Sequence, residues 1–175
     1  MTLTLRTKTP LYIMAAAALT LGTLYALAVA FMPPSIYNYT PSEPLGLYRL
    51  TYLSPGQYKR GMTVVFPVPA PFRPMVDRRR YANPGTPMLK KIWGMPGDTV
   101  CETAGWVALN GRIIGPVFRT DTEGRPLPRI RGCYRIPPGY FFPASNYIKN
   151  SFDGRYIGVV PFTAIEAEAT PEWTF

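Results

Sequence analysis

The segment LKKIWGMPGDTV, residues 89–100, sets a pair of lysines in an apolar run that ends in a Pro-Gly-Asp turn. We expect a strand through the two lysines, because apolar side chains flank them and Gly and Pro follow. Side chains alternate between the two faces of a strand, so Lys90 shares a face with Met88 and Ile92, while Lys91 lies on the other face. The pattern allows one lysine to be buried and the other solvated, and it leaves open which is which.

The composition of the 175-residue chain limits the chemistry that a lysine could join. The sequence contains no His and two Cys. These counts exclude a Ser-His-Asp triad, a Cys-His pair and a four-coordinate zinc site of Cys and His, and we expect neither a metal nor a cofactor. Covalent catalysis would have to use Ser, Thr, Cys, Lys or a carboxylate.

Proline and charge indicate the fold class and the surroundings of the chain. There are 21 prolines, and all but Pro10 follow residue 32. Proline ends helices and is excluded from central strands, so we expect one mainly β domain with short strands and long loops. The net charge of +9 suits an anionic partner. The run Arg78-Arg79-Arg80 lacks interleaved aromatic residues, so we expect membrane lipid there and no nucleic acid.

Residues 11–32 form an uncharged apolar run close to the start of the chain. At about 1.5 Å per residue they make a helix of about 33 Å, enough to cross a hydrocarbon core of about 30 Å. Residues 1–10 carry two basic residues and no acid, which predicts a cytoplasmic tail. Residues 33–175 would then lie in the periplasm. The alternative is a signal peptide cleaved after Ala30, although the apolar run is long for one.

The two cysteines and one turn motif give the organisation of this domain. In an oxidising compartment Cys101 and Cys133 can pair, and their even number favours a disulfide over two buried thiols. We expect a hairpin insertion at about 101–133, with a type I′ turn at Asn110-Gly111. Strands are predicted at 47–53, 62–66, 88–94, 98–103, 156–160 and 162–169, with an irregular stretch at 33–46 and a long loop at 67–87.

Three segments hold residues that could carry chemistry. NYTPSEPLGLY, residues 38–48, presents Ser42 in a Pro-framed loop; residues 89–100 hold the lysine pair; and NSFDGRYIG, residues 150–158, packs Ser, Asp and Arg closely. Each has a plain structural explanation: a loop hydroxyl, a solvated lysine, and an ion pair between Asp153 and Arg155.

Taken together and in this order, the three segments resemble the type I signal peptidases. That family has a catalytic serine just after a transmembrane segment, a box that reads roughly K-R-x-x-G-x-P-G-D, and a later box that reads roughly N-S-x-D-S-R-Y-x-G. The chain has KKIWGMPGD and NSFDGRYIG in register. The segment TPSEPLGLY looks most like the plasmid conjugal-transfer (TraF-type) peptidases, whose serine box reads roughly S-x-P-x-G-x-Y.

The resemblance implies a role for each residue of these boxes. Ser42 would be the nucleophile and Lys90 the general base. Thr40 stands where the family has an oxyanion-stabilising hydroxyl. The roles of the third box are these: Ser151 would hydrogen-bond the lysine amine, and Asp153 and Arg155 would support the site. Two departures from the family pattern are Gly154, where a serine is usual, and Ser145-Asn146-Tyr147, where Gly-Asp-Asn is usual.

The chemistry requires a neutral lysine. A free lysine has a pKa of about 10.4 and is almost always protonated at neutral pH, but burial among apolar side chains lowers the pKa by several units. Neutral Lys90 would take the Ser42 proton as the serine attacks a substrate carbonyl, leaving an acyl-enzyme. Water or an amine could resolve it, and some TraF-type enzymes cyclise pilin subunits.

The resulting expectation is an inner-membrane serine endopeptidase with a signal-peptidase-like β catalytic domain. Its protein substrate would be a secreted precursor, a conjugative pilin subunit in the first instance, and association with conjugative type IV secretion components would follow. Two alternatives stay open from the sequence: a general leader peptidase for exported proteins, and a non-catalytic membrane-tethered component of a secretion apparatus.

Overall fold

The computed structural model describes residues 9–175, so most of the predicted tail, residues 1–10, lies outside the described residues. An exposed helix, α1 (Thr9–Ala30), covers most of the predicted run. Its Ala- and Leu-rich sequence favours a helix, and Pro33-Pro34 cannot continue it. Within residues 9–175 it is the one helix long and apolar enough to cross a membrane. The rest of the chain, from Ser35 to Phe175, forms a compact unit by itself.

Two antiparallel sheets build this unit, and the prediction of a mainly β domain is confirmed. The larger sheet has seven strands in the order β1-β2-β11-β3-β4-β9-β10, and the smaller has four in the order β7-β6-β5-β8. The strands are β1 Ser35–Asn38, β2 Gly46–Thr51, β3 Thr63–Phe66, β4 Met88–Gly94, β5 Thr99–Thr103, β6 Trp106–Leu109, β7 Arg112–Pro116, β8 Gly132–Arg135, β9 Tyr140–Ala144, β10 Val160–Pro161 and β11 Ala167–Thr174.

Strand β4, which carries the lysine pair, lies inside the larger sheet between β3 and β9. Lys90 is opposite Val64 on β3, and Lys91 is opposite Ala144 on β9. Ile92 of the same strand is fully buried in the main core cluster. Both edges of β4 are hydrogen-bonded and its apolar residues are packed on both faces, so the backbone that carries the two lysines is held in place.

The smaller sheet is formed by the segment between β4 and β9. Cys101 on β5 and Cys133 on β8 are direct register partners, and a disulfide joins them. Asn110 and Gly111 both have positive φ, 49° and 80°, as a type I′ turn between β6 and β7 requires. The segment is therefore a four-stranded sheet rather than one hairpin.

Two short helices lie where the sequence pattern predicted a loop and a strand. Helix α2 (Arg73–Arg79) interrupts the predicted loop at 67–87; a proline in its first turn is compatible with helix, and Arg80 ends it in the left-handed region. Helix α3 (Gly154–Ile157) begins before the expected strand at 156–160 and takes up the first two residues of that strand. The Asp153 carboxylate caps the helix by accepting the backbone N–H of Arg155.

Strand boundaries at both ends of the domain also differ from those predicted. Strand β1 forms within the stretch 33–46, which was expected to be irregular, and pairs along its length with β2. The predicted strand 162–169 begins with a 3₁₀ turn at Phe162–Ala164, and β11 starts only at Ala167. Propensity in four-residue segments is too weak to fix such boundaries against long-range pairing.

The first prediction concerns Gly154, at the start of α3. A Cβ on this residue would lie 2.4 Å from the carbonyl oxygen of Pro143 and 2.8 Å from the ring of Phe142. We therefore expect Gly154→Ala to lower the free energy of unfolding by about 1–3 kcal/mol, as overpacking does. Denaturant unfolding of the full-length protein in detergent micelles measures it.

The matched control is Gly56→Ala, because nothing lies within 4 Å of a Cβ built there. This variant should unfold at the denaturant concentration of the wild type. If both alanine variants were equally stable, the close approach of α3 to β9 would be wrong.

Candidate active site

Ser42 lies in the connection between β1 and β2, and the side chain of Asn38 shapes that connection. The Asn38 amide donates hydrogen bonds of 3.0 Å to the carbonyls of Thr40, Glu43 and Pro44. Asn38 itself is buried at the end of β1. One amide thus holds the backbone on both sides of the serine, and Ser42 is buried with it.

Lys90 reaches Ser42 from the middle of β4. Its Nζ lies 2.5 Å from Oγ of Ser42 and 3.0 Å from the carbonyl oxygen of Leu89. Only 4% of Lys90 is exposed. Burial lowers the pKa of the Lys90 amine to about 8, although the negative charges of Asp153 and Glu43 act in the opposite direction. A hydroxyl therefore contacts an amine that can lose its proton near neutral pH.

Lys91 lies on the opposite face of β4 from Lys90, because successive side chains alternate between the two faces of a strand. Its side chain is 39% exposed, and its Nζ lies 3.7 Å from Oε2 of Glu43. Glu43, directly after the nucleophile candidate, is 2% exposed. Burial raises the pKa of the Glu43 carboxyl, while Lys91 and Lys90 lower it. The sequence analysis did not single out Glu43, because an acid in a Pro-framed loop is usually solvated.

The hydroxyl of Thr40 lines the same cavity as Ser42 and Lys90. In the structure it donates a 2.9 Å hydrogen bond to Oδ1 of Asn38. The residue is half-buried. Thr40 thus lies beside the serine, with its proton directed to Asn38.

Ser151 requires a correction. The resemblance implied a hydrogen bond from its hydroxyl to the lysine amine, but within residues 9–175 its buried Oγ has no partner. The Lys90 amine is instead occupied by Ser42 and the Leu89 carbonyl. Ser151 and Lys90 both line the cavity of the candidate site.

Asp153 and Arg155 form a buried ion pair behind these residues. Arg155 is 1% exposed and Asp153 is fully buried. Two hydrogen bonds between their side chains join them, from Nε to Oδ1 at 2.9 Å and from a terminal guanidinium nitrogen to Oδ2 at 2.8 Å. The guanidinium also donates to backbone carbonyls of the surrounding loops, those of Pro116, Ser145, Lys149 and Ser151. Arg155 therefore ties together segments that approach the site from different sheets.

Ser145 links this ion pair to the Ser42 loop. Its backbone N–H donates to Asp153 Oδ2 at 3.0 Å, and its hydroxyl donates to the Ser42 carbonyl. The sequence comparison noted Ser145 only as a departure from the family pattern. The position of Ser145 directly after β9 was the one sequence signal for a role in the site. Its hydrogen bond to Ser42 joins residues 103 positions apart, so no local sequence pattern predicts that bond.

Thr40, Ser42, Lys90 and Ser151 line one largely apolar cavity of about 530 Å³. In the described part of the chain, no group of three or more Asp, Glu or Cys side chains could hold a metal ion. The Cys101–Cys133 disulfide lies in the smaller sheet, and neither cysteine lines the cavity. The cavity offers a hydroxyl, an amine able to accept the proton of that hydroxyl, and a mostly apolar lining.

Comparisons with known proteins identify the family of the chain. A family model described as signal peptidase, peptidase S26, matches residues 7–173. The conjugal transfer protein TraF of Agrobacterium fabrum is 32% identical over 79% of this chain and 81% of its own. A plasmid transfer protein TraF of Escherichia coli is 30% identical over 83% and 86%. The crystal structure of a signal peptidase I from Enterococcus faecalis is 19% identical, covers 64% of this chain and 96% of its own, and gives a TM-score of 0.38.

The second prediction concerns the buried ion pair. Removing one charge leaves the other buried and uncompensated, so Asp153→Asn and Arg155→Met should each lower the free energy of unfolding by about 3–5 kcal/mol. The double variant removes both charges and should lose clearly less than the sum of the two single losses. Denaturant unfolding of the full-length protein gives all three values. Two small and additive losses would mean that the pair does not hold the loops together.

Proposed function

Since the chain belongs to the signal peptidase S26 family, and is therefore a peptidase, we propose that it is a serine endopeptidase with Ser42 as nucleophile and Lys90 as general base. The observation that carries this proposal is the 2.5 Å separation between Oγ of Ser42 and Nζ of Lys90 in a buried setting. Burial lowers the lysine pKa to about 8, which supplies a neutral amine at useful concentration near neutral pH.

The reaction then proceeds in two halves. Neutral Lys90 takes the Ser42 proton while Oγ attacks the scissile carbonyl. The backbone N–H of Ser42 and the Thr40 hydroxyl, after it turns away from Asn38, stabilise the oxyanion. Lys90 passes its proton to the leaving amine, the C–N bond breaks, and an ester on Ser42 remains. Water hydrolyses the ester, or an amine of the substrate attacks it and forms a new peptide bond.

The remaining residues position this dyad. Asp153 is held by its ion pair with Arg155. The negative charge of Asp153 raises the pKa of Lys90 and so limits how far burial lowers it. Ser145 fixes the carbonyl of Ser42 and so the direction of its side chain. Ser151 lines the same cavity as the dyad.

The membrane arrangement is part of the proposal. Helix α1 would anchor the enzyme by a single pass in the inner membrane, with residues 1–10 in the cytoplasm and residues 33–175 in the periplasm. The apolar and fully exposed surface of α1 supports the anchor. The Cys101–Cys133 disulfide fits an oxidising compartment.

The substrate we propose is a secreted precursor, a conjugative pilin subunit, which the enzyme cleaves or cleaves and cyclises. The support is that several relatives at about 30% identity are conjugal or plasmid transfer proteins. Membrane lipid and components of a conjugative type IV secretion system would be its other partners. Processing of exported precursors in general is the competing substrate range.

The third prediction separates the two lysines. Lys90→Ala should abolish processing, because Lys90 is the one base hydrogen-bonded to the Ser42 hydroxyl within residues 9–175. Lys91→Ala should retain most of it, because Lys91 contacts Glu43 and is partly exposed. Cleavage of a precursor by each full-length variant in detergent micelles measures the difference. Similar losses in both variants would show that Lys90 is not the base.

The fourth prediction concerns the product. A candidate pilin incubated with wild-type enzyme should give a mature species that is absent with Ser42→Ala. By intact-mass spectrometry, a product lighter by one water than the linear mature chain shows cyclisation, and the linear mass shows hydrolysis. Accumulation of many exported precursors on deletion would support the general leader peptidase, and no processing by either wild type or Ser42→Ala would support the non-catalytic component.

A further inference from the structure

A second cavity, which we call the basic pocket, lies farther along strand β4 than the cavity that holds the dyad. Its volume is about 590 Å³. Lys90 lines the first cavity, whereas the next three residues of the strand, residues 91–93, line the basic pocket. Asn146 also lines it, and the preceding residue, Ser145, donates a hydrogen bond to the carbonyl of Ser42. A strand rises about 3.3 Å per residue, so a peptide held at Ser42 can span this stretch of β4 with about three extended residues.

The polar lining of the basic pocket is mainly cationic. Arg60, Lys91 and Arg112 line it, and within residues 9–175 no Asp or Glu side chain does. The three cations come from different parts of the fold, namely the turn before β3, strand β4 and strand β7. A concave surface lined by charge of one sign attracts groups of the opposite sign.

Two of these three cations already have an acid as a partner. A terminal guanidinium nitrogen of Arg60 lies 2.6 Å from Oδ2 of Asp98, and Nζ of Lys91 lies 3.7 Å from Oε2 of Glu43. The ion pairs formed within residues 9–175 do not include Arg112, and Arg112 is exposed. Arg112 therefore contributes a positive charge to the pocket that no acid of the described chain compensates.

The backbone that presents Arg112 is held in place. Arg112 is the first residue of β7 and is paired in register with Leu109 on β6. Asn110, in the turn between these strands, donates from its side-chain amide to Asp98 Oδ1 at 2.8 Å and accepts the backbone N–H of Thr99 at 2.8 Å. The turn is thus fixed to the start of β5, and the position of the guanidinium varies only through the torsions of its own side chain.

Apolar side chains form the floor of the basic pocket. Ile92 is fully buried and Leu109 is 9% exposed, while Trp93 and Ile114 are half-buried beside them. An ion pair formed against such a floor is screened less by water than a pair on an open surface. The floor also accepts the carbon atoms of a peptide side chain that carries the charge.

We propose that the basic pocket binds a carboxylate of the substrate through Arg112, and that this carboxylate lies within about four residues of the scissile bond. The proposal rests on the proposed function, because the substrate reaches the pocket from Ser42. The carboxylate belongs to an acidic side chain or to the end of the peptide chain. The planar guanidinium offers a carboxylate two parallel N–H donors, which a neutral amide matches poorly because it lacks the charge.

A position scan tests the preference. Full-length wild type in non-ionic detergent micelles would cleave acetylated peptides that carry one Asp in turn at each of the four positions on either side of the scissile bond. Each peptide is compared with its Asn counterpart. We expect kcat/KM to be about fivefold higher for Asp at one of these positions. Peptides that end at that position, with a free or an amidated C-terminus, distinguish a terminal carboxylate from a side chain. Preferences below threefold for every acid and for the free terminus would overturn the proposal.

Substitution of Arg112 locates the site. Arg112→Gln should reduce the ratio of kcat/KM for the Asp and Asn peptides to below twofold, and Arg112→Lys, which retains the charge, should keep part of the preference. The matched control is Arg131→Gln, because Arg131 is also exposed but lines neither cavity. This control changes the net charge equally and should keep the full ratio. A full preference in Arg112→Gln, or an equal loss in Arg131→Gln, would overturn the assignment to the pocket.

The phosphate of a lipid headgroup is the competing occupant of a basic pocket in a membrane protein. The same peptides would be cleaved by wild type in nanodiscs of phosphatidylcholine, with and without phosphatidylglycerol. The Asp preference should persist in both. Its loss in the presence of phosphatidylglycerol would show that the pocket holds a lipid phosphate, and would overturn the assignment to the substrate.

A binding measurement separates failure of this inference from failure of the proposed function. Fluorescence anisotropy with Ser42→Ala would compare the Asp and Asn peptides without requiring cleavage. Tighter binding of the Asp peptide that is lost in Ser42→Ala/Arg112→Gln supports the pocket even if wild type cleaves neither peptide, in which case the serine peptidase proposal fails alone. Equal binding of both peptides refutes the pocket.

Discussion

The site depends on the free-energy cost of burying the protonated amine of Lys90. Water stabilises an ammonium ion, but Lys90 is only 4% exposed and so loses most of this stabilisation. Desolvation lowers its pKa to about 8 against the pull of Asp153 and Glu43. Full compensation by these acids would keep the amine protonated and unable to act as a base. Arg155 neutralises Asp153 and Lys91 faces Glu43, so each acid near Lys90 has its own cation.

Contacts between residues distant in sequence hold Lys90 and Ser42 in place. Strand β4 is paired on both edges, which fixes Lys90, while Asn38 and Ser145 fix the backbone around Ser42 from opposite sides. Arg155 holds the loops that bring Ser145 and Ser151 to the cavity. Gly154 replaces the serine usual in the family, and the contact of α3 with Pro143 and Phe142 explains it, because no side chain fits there.

Features that depend on neighbouring residues in the sequence could be predicted from the sequence alone. The strand with the lysine pair and the turn at Asn110-Gly111 follow from short-range patterns, and both are present. Alternation alone could not choose between Lys90 and Lys91; the resemblance to signal peptidases chose, and the structure buries Lys90. Glu43 and Ser145 were missed because their partners are far away in sequence. Helix α2 was missed because seven residues with a proline carry little periodic signal.

The most direct test of this account is the titration of the Lys90 amine itself. Full-length protein with ¹³C-labelled lysine side chains, in detergent micelles, gives one resonance for each of its lysines, and Lys90→Met identifies the signal of Lys90. We expect this amine to lose its proton near pH 8, so that the rate of Ser42 acylation rises with pH through the same range. A Lys90 amine that stays protonated above about pH 10, as a solvated lysine does, would contradict the account.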